Sequence, residues 1–129
     1  MSSTNDHRPH LSLWLPVIAY MAVIFYVSSL TDPPLPGGMS DKSGHWLGYL
    51  GFGIVVSRAV AGGLPARITG RIALIAMAIA TAYAGSDELH QLFVPGRFAD
   101  VRDLFADAAG ALAGVAACWA WGIISVRAV

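Results

Sequence analysis

Long apolar segments separated by short polar ones make up most of this sequence. Residues 11–30 carry no charged side chain, and about 20 apolar residues are enough for an α-helix to cross the hydrocarbon core of a bilayer. Three further apolar segments follow, separated by stretches that contain proline and glycine. The pattern predicts four helices, at about residues 11–30, 45–61, 72–94 and 100–125. The expected fold class is therefore all-α: a polytopic membrane protein with four transmembrane helices in an antiparallel bundle.

The segments between the helices carry turn and cap signals. Residues 31–40 include three prolines and two glycines, which do not allow a helix to continue. Ser40 or Asp41 can then cap the second helix, because either side chain accepts hydrogen bonds from the first N–H groups. Pro95 and Gly96 occupy the two central positions that a type II turn favours, so we expect the chain to reverse there.

Composition agrees with one membrane domain. Of the 129 residues, 56% are hydrophobic, which is too apolar for a small soluble domain. Residues 1–10 are predicted to be a cytoplasmic tail, and residues 11–126 a single four-helix transmembrane domain. A signal peptide is the alternative for the first segment, but its apolar run is long and no small-x-small cleavage site precedes Thr31.

The formal net charge of zero gives no indication of a nucleic-acid partner. Cys118 lies within an apolar segment and is predicted to be a buried small hydrophobe.

The distribution of basic residues predicts the orientation in the membrane. Cytoplasmic loops of membrane proteins carry an excess of lysine and arginine. With four spans, five basic residues lie on one side and three on the other, and the three lie among acidic residues. The larger set consists of Arg8, Arg58, Arg67, Arg71 and Arg127, and the smaller one of Lys42, Arg97 and Arg102. Both termini are therefore predicted to be cytoplasmic.

Two polar groups lie on the opposite, outward side in this topology. In the first group, Asp41 and His45 are four residues apart and share a helix face. In the second, Asp87, His90 and Gln91 share one helix face. A further stripe of the second group carries Asp100, Asp103 and Asp107 and continues into glycine at positions 110 and 114. Small residues allow helices to approach closely, and charges near hydrocarbon point into the bundle, so the stripe should face inward. If the two groups form one site, His45 should lie near Asp87 or His90.

Acidic side chains outnumber basic ones in these groups. Shared protons, a histidine imidazolium or a bound cation could balance the surplus. Asp, Glu and His suit Mg²⁺, Mn²⁺ or Zn²⁺, but the sequence has no H-E-x-x-H motif or cysteine pair, so the metal and any cofactor stay unassigned. A purely structural alternative is that Asp–Arg and Asp–His pairs tie the helices together, and for His90 alone packing is the favoured interpretation.

The same residues form a pattern that resembles a known family. Ser40-Asp41-Lys42-x-x-His45-x-x-x-Tyr49, followed by Asp87-Glu88-x-x-Gln91-x-Phe93-x-x-x-Arg97-x-x-Asp100-x-x-Asp103 and then Gly110, is similar to the VanZ-like family of small bacterial membrane proteins. That family is named after a protein associated with resistance to teicoplanin, which acts on cell-wall precursors outside the membrane. The resemblance implies a multi-pass protein of the bacterial cytoplasmic (inner) membrane. Asp107 departs from the pattern, because members often carry Asn there.

Two hypotheses of function follow. In the first, the protein is an enzyme that acts on an envelope lipid or its headgroup. Its catalytic candidates are Asp87, Glu88, His90, Asp103 and His45, and its substrate-binding candidates are Lys42, Arg97, Gln91, Asp41, Asp100 and Asp107. In the second, it is a non-enzymatic binding or assembly protein of the cell envelope. A membrane lipid or a cell-wall precursor is the expected partner of either. Proton-coupled transport ranks third, because four short helices leave little room for a gated path.

Overall fold

A computed structural model describes residues 10–127, which form four α-helices and no strand. The helices are α1 (Leu11–Ser28), α2 (Asp41–Ala61), α3 (Gly70–Gln91) and α4 (Val101–Arg127), and a single 3₁₀ turn at Pro36–Gly38 lies in the loop after α1. The all-α class is thus confirmed. The predicted cytoplasmic tail lies almost wholly outside the described residues.

Three of the four helices are long and apolar enough to cross a membrane. These are α1, α3 and the part of α4 from Val101 to Ser125. Helix α2 is not among them. Its sequence contains the charged Asp41, Lys42 and Arg58, together with several glycines, which lower its hydropathy.

Local signals set the ends of the helices. Helix α2 begins four residues earlier than predicted, because the Ser40 hydroxyl accepts a hydrogen bond from the Ser43 N–H (3.2 Å) and caps the helix there. Helix α3 ends at Gln91 rather than Val94. The expected reversal follows: the Arg97 N–H donates to the Val94 carbonyl (3.1 Å), and Gly96 adopts a φ of 78° that suits glycine.

Helices α2 and α4 approach each other most closely. A Cβ added to Gly110 would meet the carbonyl oxygen of Trp46, and one added to Gly114 would meet that of Leu50. The predicted stripe therefore does face inward, with its glycines against the α2 backbone. Of the three carboxylates of the stripe, Asp103 and Asp107 are buried and Asp100 is partly exposed.

Large apolar side chains cover the outside of the bundle, as expected for contact with lipid. Leu74 on α3 and Phe105 on α4 are 72% and 70% exposed. Inside, Phe52 packs against the rings of Tyr20, Tyr49 and Tyr83 at centroid distances of 5.4–5.7 Å. Cys118 is buried, as predicted.

One end of the bundle collects the polar side chains, and we call it the polar end. It consists of the last turns of α1 and α3, the first two turns of α2 and α4, and the loops 29–40 and 92–100. Side-chain contacts bring these turns together: Ser29 with His90 (3.4 Å), and His45 with Asp107 (2.8 Å).

Candidate functional site

His45 lies at the centre of the polar end. The Ser40 cap starts α2 so that His45, in its second turn, faces α4. Its Nδ1 lies 2.8 Å from Oδ1 of the fully buried Asp107. Its Nε2 lies 3.9 Å from Asp41 Oδ2 and 3.8 Å from Asp103 Oδ2, beyond hydrogen-bonding distance of both. The imidazole is thus held from one side and surrounded by three carboxylates.

Lys42 joins α2 to the start of α4. Its ammonium group contacts Oδ1 of the buried Asp103 and lies 3.1 Å from Asp100 Oδ2. Asp100 also accepts hydrogen bonds from the side chain and the backbone N–H of Arg102. Because Arg102 and then Lys42 stabilise its charged form, the pKa of Asp100 lies well below its usual range. Two of the three basic side chains at this end are therefore already paired with carboxylates.

Glu88 brings α3 into the same cluster. Its Oε2 accepts a hydrogen bond from the Asp100 backbone N–H (2.9 Å), while its Oε1 is buried and has no hydrogen-bond partner among the described residues. Potential ligand atoms of His45, Glu88 and Asp107 all lie within 4.8 Å of one another. The two polar groups seen in the sequence thus meet at one place. We call these three residues the buried acidic cluster.

His90 turns away from this cluster toward α1. Its ring stacks on Phe25 with centroids 4.2 Å apart, and its Nε2 lies 3.4 Å from the Ser29 hydroxyl. The contacts of His90 are those of a packing histidine. It is the His45 side chain, and not that of His90, that joins the carboxylates.

A pocket of about 190 Å³ opens at the polar end beside His45. One wall is apolar and comes mainly from α1, whose contributing side chains are Tyr20, Val23, Ile24 and Val27. The other wall is polar and comes from Asp41, His45, Asp87, Gln91 and Arg97. The pocket is therefore amphipathic, because apolar side chains of α1 and polar side chains of the other elements line it together.

Two polar side chains of this pocket have capacity to bind a ligand. The Gln91 side chain is 1% exposed, and both its amide oxygen and its amide nitrogen lack a hydrogen-bond partner among the described residues. The Arg97 guanidinium donates to the Leu30 carbonyl (3.4 Å) and forms no ion pair with a described carboxylate. Unlike Lys42 and Arg102, Arg97 is therefore available to an anionic group.

The apolar wall is the part of the site that sequence reasoning missed. Its residues belong to α1, which is apolar around its whole circumference, so no periodicity distinguishes the face that lines the pocket from the face toward lipid. Of the predicted site residues, Glu88, Asp103 and Asp107 lie in the buried cluster or its immediate surroundings and do not line the pocket.

The arrangement offers three kinds of chemistry: proton transfer at His45 and the carboxylates, cation binding between them, and anion binding at Arg97.

A family model described as VanZ/LLP1 matches residues 42–124, which cover nearly all of α2, all of α3 and most of α4. No curated protein and no solved structure shows a significant match to the chain.

Proposed function

Because the chain belongs to the VanZ/LLP1 family, we propose that it is an envelope protein whose pocket binds an anionic lipid, or the headgroup of a lipid-linked cell-wall precursor. In this proposal all four helices cross the bacterial cytoplasmic membrane as an antiparallel bundle, both termini are cytoplasmic, and the polar end faces outward. The teicoplanin association carried by the family name agrees with a target in the envelope.

The observation that carries this proposal is the amphipathic pocket with Arg97 in its polar wall. An acyl or isoprenoid chain would pack against Val23, Ile24 and Val27 of α1. The headgroup would then reach Arg97, whose planar guanidinium forms two parallel hydrogen bonds with a phosphate or a carboxylate. Arg97 is held in place for this contact by the turn that precedes it and by its bond to the Leu30 carbonyl.

A reaction on the bound headgroup would draw its proton-transfer group from the ionisable side chains of the pocket, namely Asp41, His45 and Asp87. The non-enzymatic alternative has its own support. Lys42, Asp100, Asp103 and Arg102 are engaged with one another in ion pairs, as in a rigid binding scaffold. Incubation of the purified protein with envelope lipids, followed by mass spectrometry of the lipids, separates the two: the enzyme hypothesis requires a product, and the binding hypothesis requires none.

The binding proposal is tested at Arg97. The detergent-purified protein is offered phosphatidylglycerol and phosphatidylcholine, and the bound lipid is counted by native mass spectrometry. We expect wild type to prefer the anionic lipid. Arg97→Gln should lose about tenfold or more of that preference, because a hydrogen bond to a charged group contributes about 1.5–3 kcal/mol. Arg97→Lys should lose part of the preference for the anionic lipid, because lysine keeps the positive charge but cannot form the two parallel hydrogen bonds of a guanidinium.

Arg102→Gln is the matched control, since Arg102 is paired with Asp100 and does not line the pocket. An equal loss of lipid preference in Arg97→Gln and Arg102→Gln would indicate a general effect of surface charge and would refute the pocket as the binding site.

A further inference from the structure

The buried acidic cluster contains two carboxylates, Glu88 and Asp107, that pair with no lysine or arginine among the described residues, while Asp107 pairs with His45. Among the described side chains, Lys42 pairs with Asp100 and Asp103, Arg102 pairs with Asp100, and neither forms an ion pair with Glu88 or Asp107. We propose that a divalent cation, Zn²⁺ or Mn²⁺, binds between His45, Glu88 and Asp107.

The three side chains come from three different helices and converge on one place. His45 belongs to α2, Glu88 to α3 and Asp107 to α4, and one potential ligand atom of each lies within 4.8 Å of the others. One imidazole and two carboxylates are a common protein donor set for a first-row divalent cation, and three protein ligands leave a coordination position open. Mg²⁺ prefers oxygen ligands alone, so the imidazole favours Zn²⁺ or Mn²⁺ over Mg²⁺.

A second, independent observation points to a ligand at this place. The buried Oε1 of Glu88 and the buried Oδ2 of Asp107 have no hydrogen-bond partner among the described residues, and their side chains are 8% and 0% exposed. A buried carboxylate oxygen without a partner is costly, because it has lost its water and gained nothing in exchange. A cation bound between Glu88 and Asp107 would give both buried carboxyl groups a positively charged partner.

The cation site lies beside the pocket and shares His45 with it. With the cation bound, His45 acts as a ligand, and Asp41 and Asp87 remain as the ionisable carboxylates of the pocket. The binding of a metal does not depend on the binding of a lipid. The metal assay below uses a neutral detergent without added lipid, so either proposal can fail while the other holds.

The test is metal content and metal-induced stabilisation of the untagged protein. The protein is stripped with EDTA, dialysed against ZnCl₂, MnCl₂ or MgCl₂ and desalted, after which the bound metal is counted by inductively coupled plasma mass spectrometry and the melting temperature is measured. We expect one Zn²⁺ or Mn²⁺ per chain, a higher melting temperature with the metal, and a much weaker response to Mg²⁺. His45→Gln, Glu88→Gln and Asp107→Asn should each lower the affinity at least tenfold, since even the loss of an outer-shell partner costs about 10–100-fold.

Two variants serve as matched controls. His90→Gln removes a histidine that packs on Phe25, and Asp32→Asn removes an exposed carboxylate of the loop after α1. Both should bind the metal as wild type does. The absence of metal and of stabilisation in wild type would overturn the proposal, and this result does not require any variant to fold. So would a loss of affinity in Asp41→Asn with none in Glu88→Gln, because that would place the cation between Asp41, His45 and Asp103 instead.

Discussion

Lys42 links two helices through charge. It lies at the start of α2, and both of its carboxylate partners belong to the start of α4 or the residue before it. Asp103 is buried, so its charge has little access to water, whereas the Lys42 side chain is partly exposed. Lys42 thus compensates a carboxylate that would otherwise be buried without a counter-ion. Its contacts favour a stabilising role for Lys42. The substrate contact predicted for Lys42 from the sequence stays a prediction.

Replacement of Lys42 by methionine should therefore destabilise the protein. An exposed ion pair contributes about 0–1 kcal/mol and the loss of one partner of a buried pair costs about 3–5 kcal/mol, so we expect an intermediate loss of about 1–3 kcal/mol. Lys42→Met, Asp103→Asn and the double variant are compared by equilibrium unfolding in mixed detergent. The double variant should lose less stability than the sum of the two single losses. In Lys42→Met the buried Asp103 has lost its counter-ion, whereas in the double variant residue 103 carries no charge.

Strictly additive losses in this cycle would mean that Lys42 and Asp103 do not interact. Arg102→Met is the control, and it should cost less than about 1 kcal/mol, because the Arg102 side chain is mostly exposed.

At this scale the sequence predicted which residues share a face and which side chains could cap α2. The spacing of Asp103 and Asp107 placed both side chains inside the bundle, and the chemistry of Ser40 predicted the cap of α2. The direction of His90 toward α1 was not predictable, because spacing along one helix does not determine which neighbour its faces meet. For the same reason, the sequence did not predict that Glu88 would be the α3 residue that joins His45 in the buried acidic cluster.

At the scale of elements, α2 and α4 form the tightest pair. Their glycines lie directly against the backbone of the other helix, with no side chain between them. Gly110 and Gly114 of α4 lie against carbonyl oxygens of α2, and Gly53 of α2 lies against the Ala111 carbonyl. Such close approach is available only to residues without a Cβ, and it increases the van der Waals contact that holds helices together in lipid.

Gly114→Ala should consequently weaken the bundle. The new Cβ would meet the Leu50 carbonyl, and backbone atoms cannot move aside without moving a helix. We expect a loss of about 1–3 kcal/mol, the usual range for an overpacked core. Thermal unfolding in detergent, followed by circular dichroism, measures it as a lowered melting temperature.

Gly85→Ala on α3 is the matched control. A Cβ at this position meets nothing within 4 Å, and alanine favours a helix by about 0.5–1 kcal/mol over glycine, so the melting temperature should be unchanged or higher. Equal melting temperatures for Gly114→Ala and wild type would show that α2 and α4 leave room for a Cβ between Gly114 and the Leu50 carbonyl.

The number of helices was predictable because each segment is long and the breakers between them are strong. What the segments could not reveal is that α2, the one described helix that is not apolar enough to count as a membrane span, packs most extensively with α4. Its glycines make it less apolar by composition and more closely packed in the structure, and composition alone reports only the first property.

At the scale of the whole molecule, the proposed orientation depends on the loops at the two ends. Arg67 lies in the loop between α2 and α3, at the end away from the polar end, and Arg58 lies in the last turn of α2. The basic residues of the polar end are Lys42, Arg97 and Arg102, of which two are neutralised by Asp100 and Asp103. On the four-span topology, five of the eight lysines and arginines in the sequence fall on the side that we assign to the cytoplasm.

Cysteine labelling tests this orientation. In a Cys118→Ala background, which removes the native cysteine, single cysteines are introduced at Ala66 and Ala99 and exposed in intact cells to a membrane-impermeant maleimide. Ala99 is an exposed residue of the polar end and should be labelled, while Ala66 should react only after the cells are opened. If only the cysteine at position 66 were labelled in intact cells, the orientation would be the opposite of the proposed one, and the pocket would lie on the cytoplasmic side.

The limited packing of α1 has a consequence for how a molecule could enter the pocket. In the membrane-crossing window of α1 only 11% of the residues are buried, against 28% in α3 and 33% in α4. The α2–α4 pair cannot open without losing its backbone contacts. Helix α1 is held by side-chain contacts: the Tyr20 hydroxyl donates to the Gly48 carbonyl, the Tyr83 hydroxyl donates to the Met21 carbonyl, and the Phe25 ring stacks on His90. If the pocket binds a lipid as we propose, α1 is therefore the helix that would move when the lipid enters. The lipid would then pass laterally from its own leaflet into the pocket and reach Arg97 without leaving the bilayer.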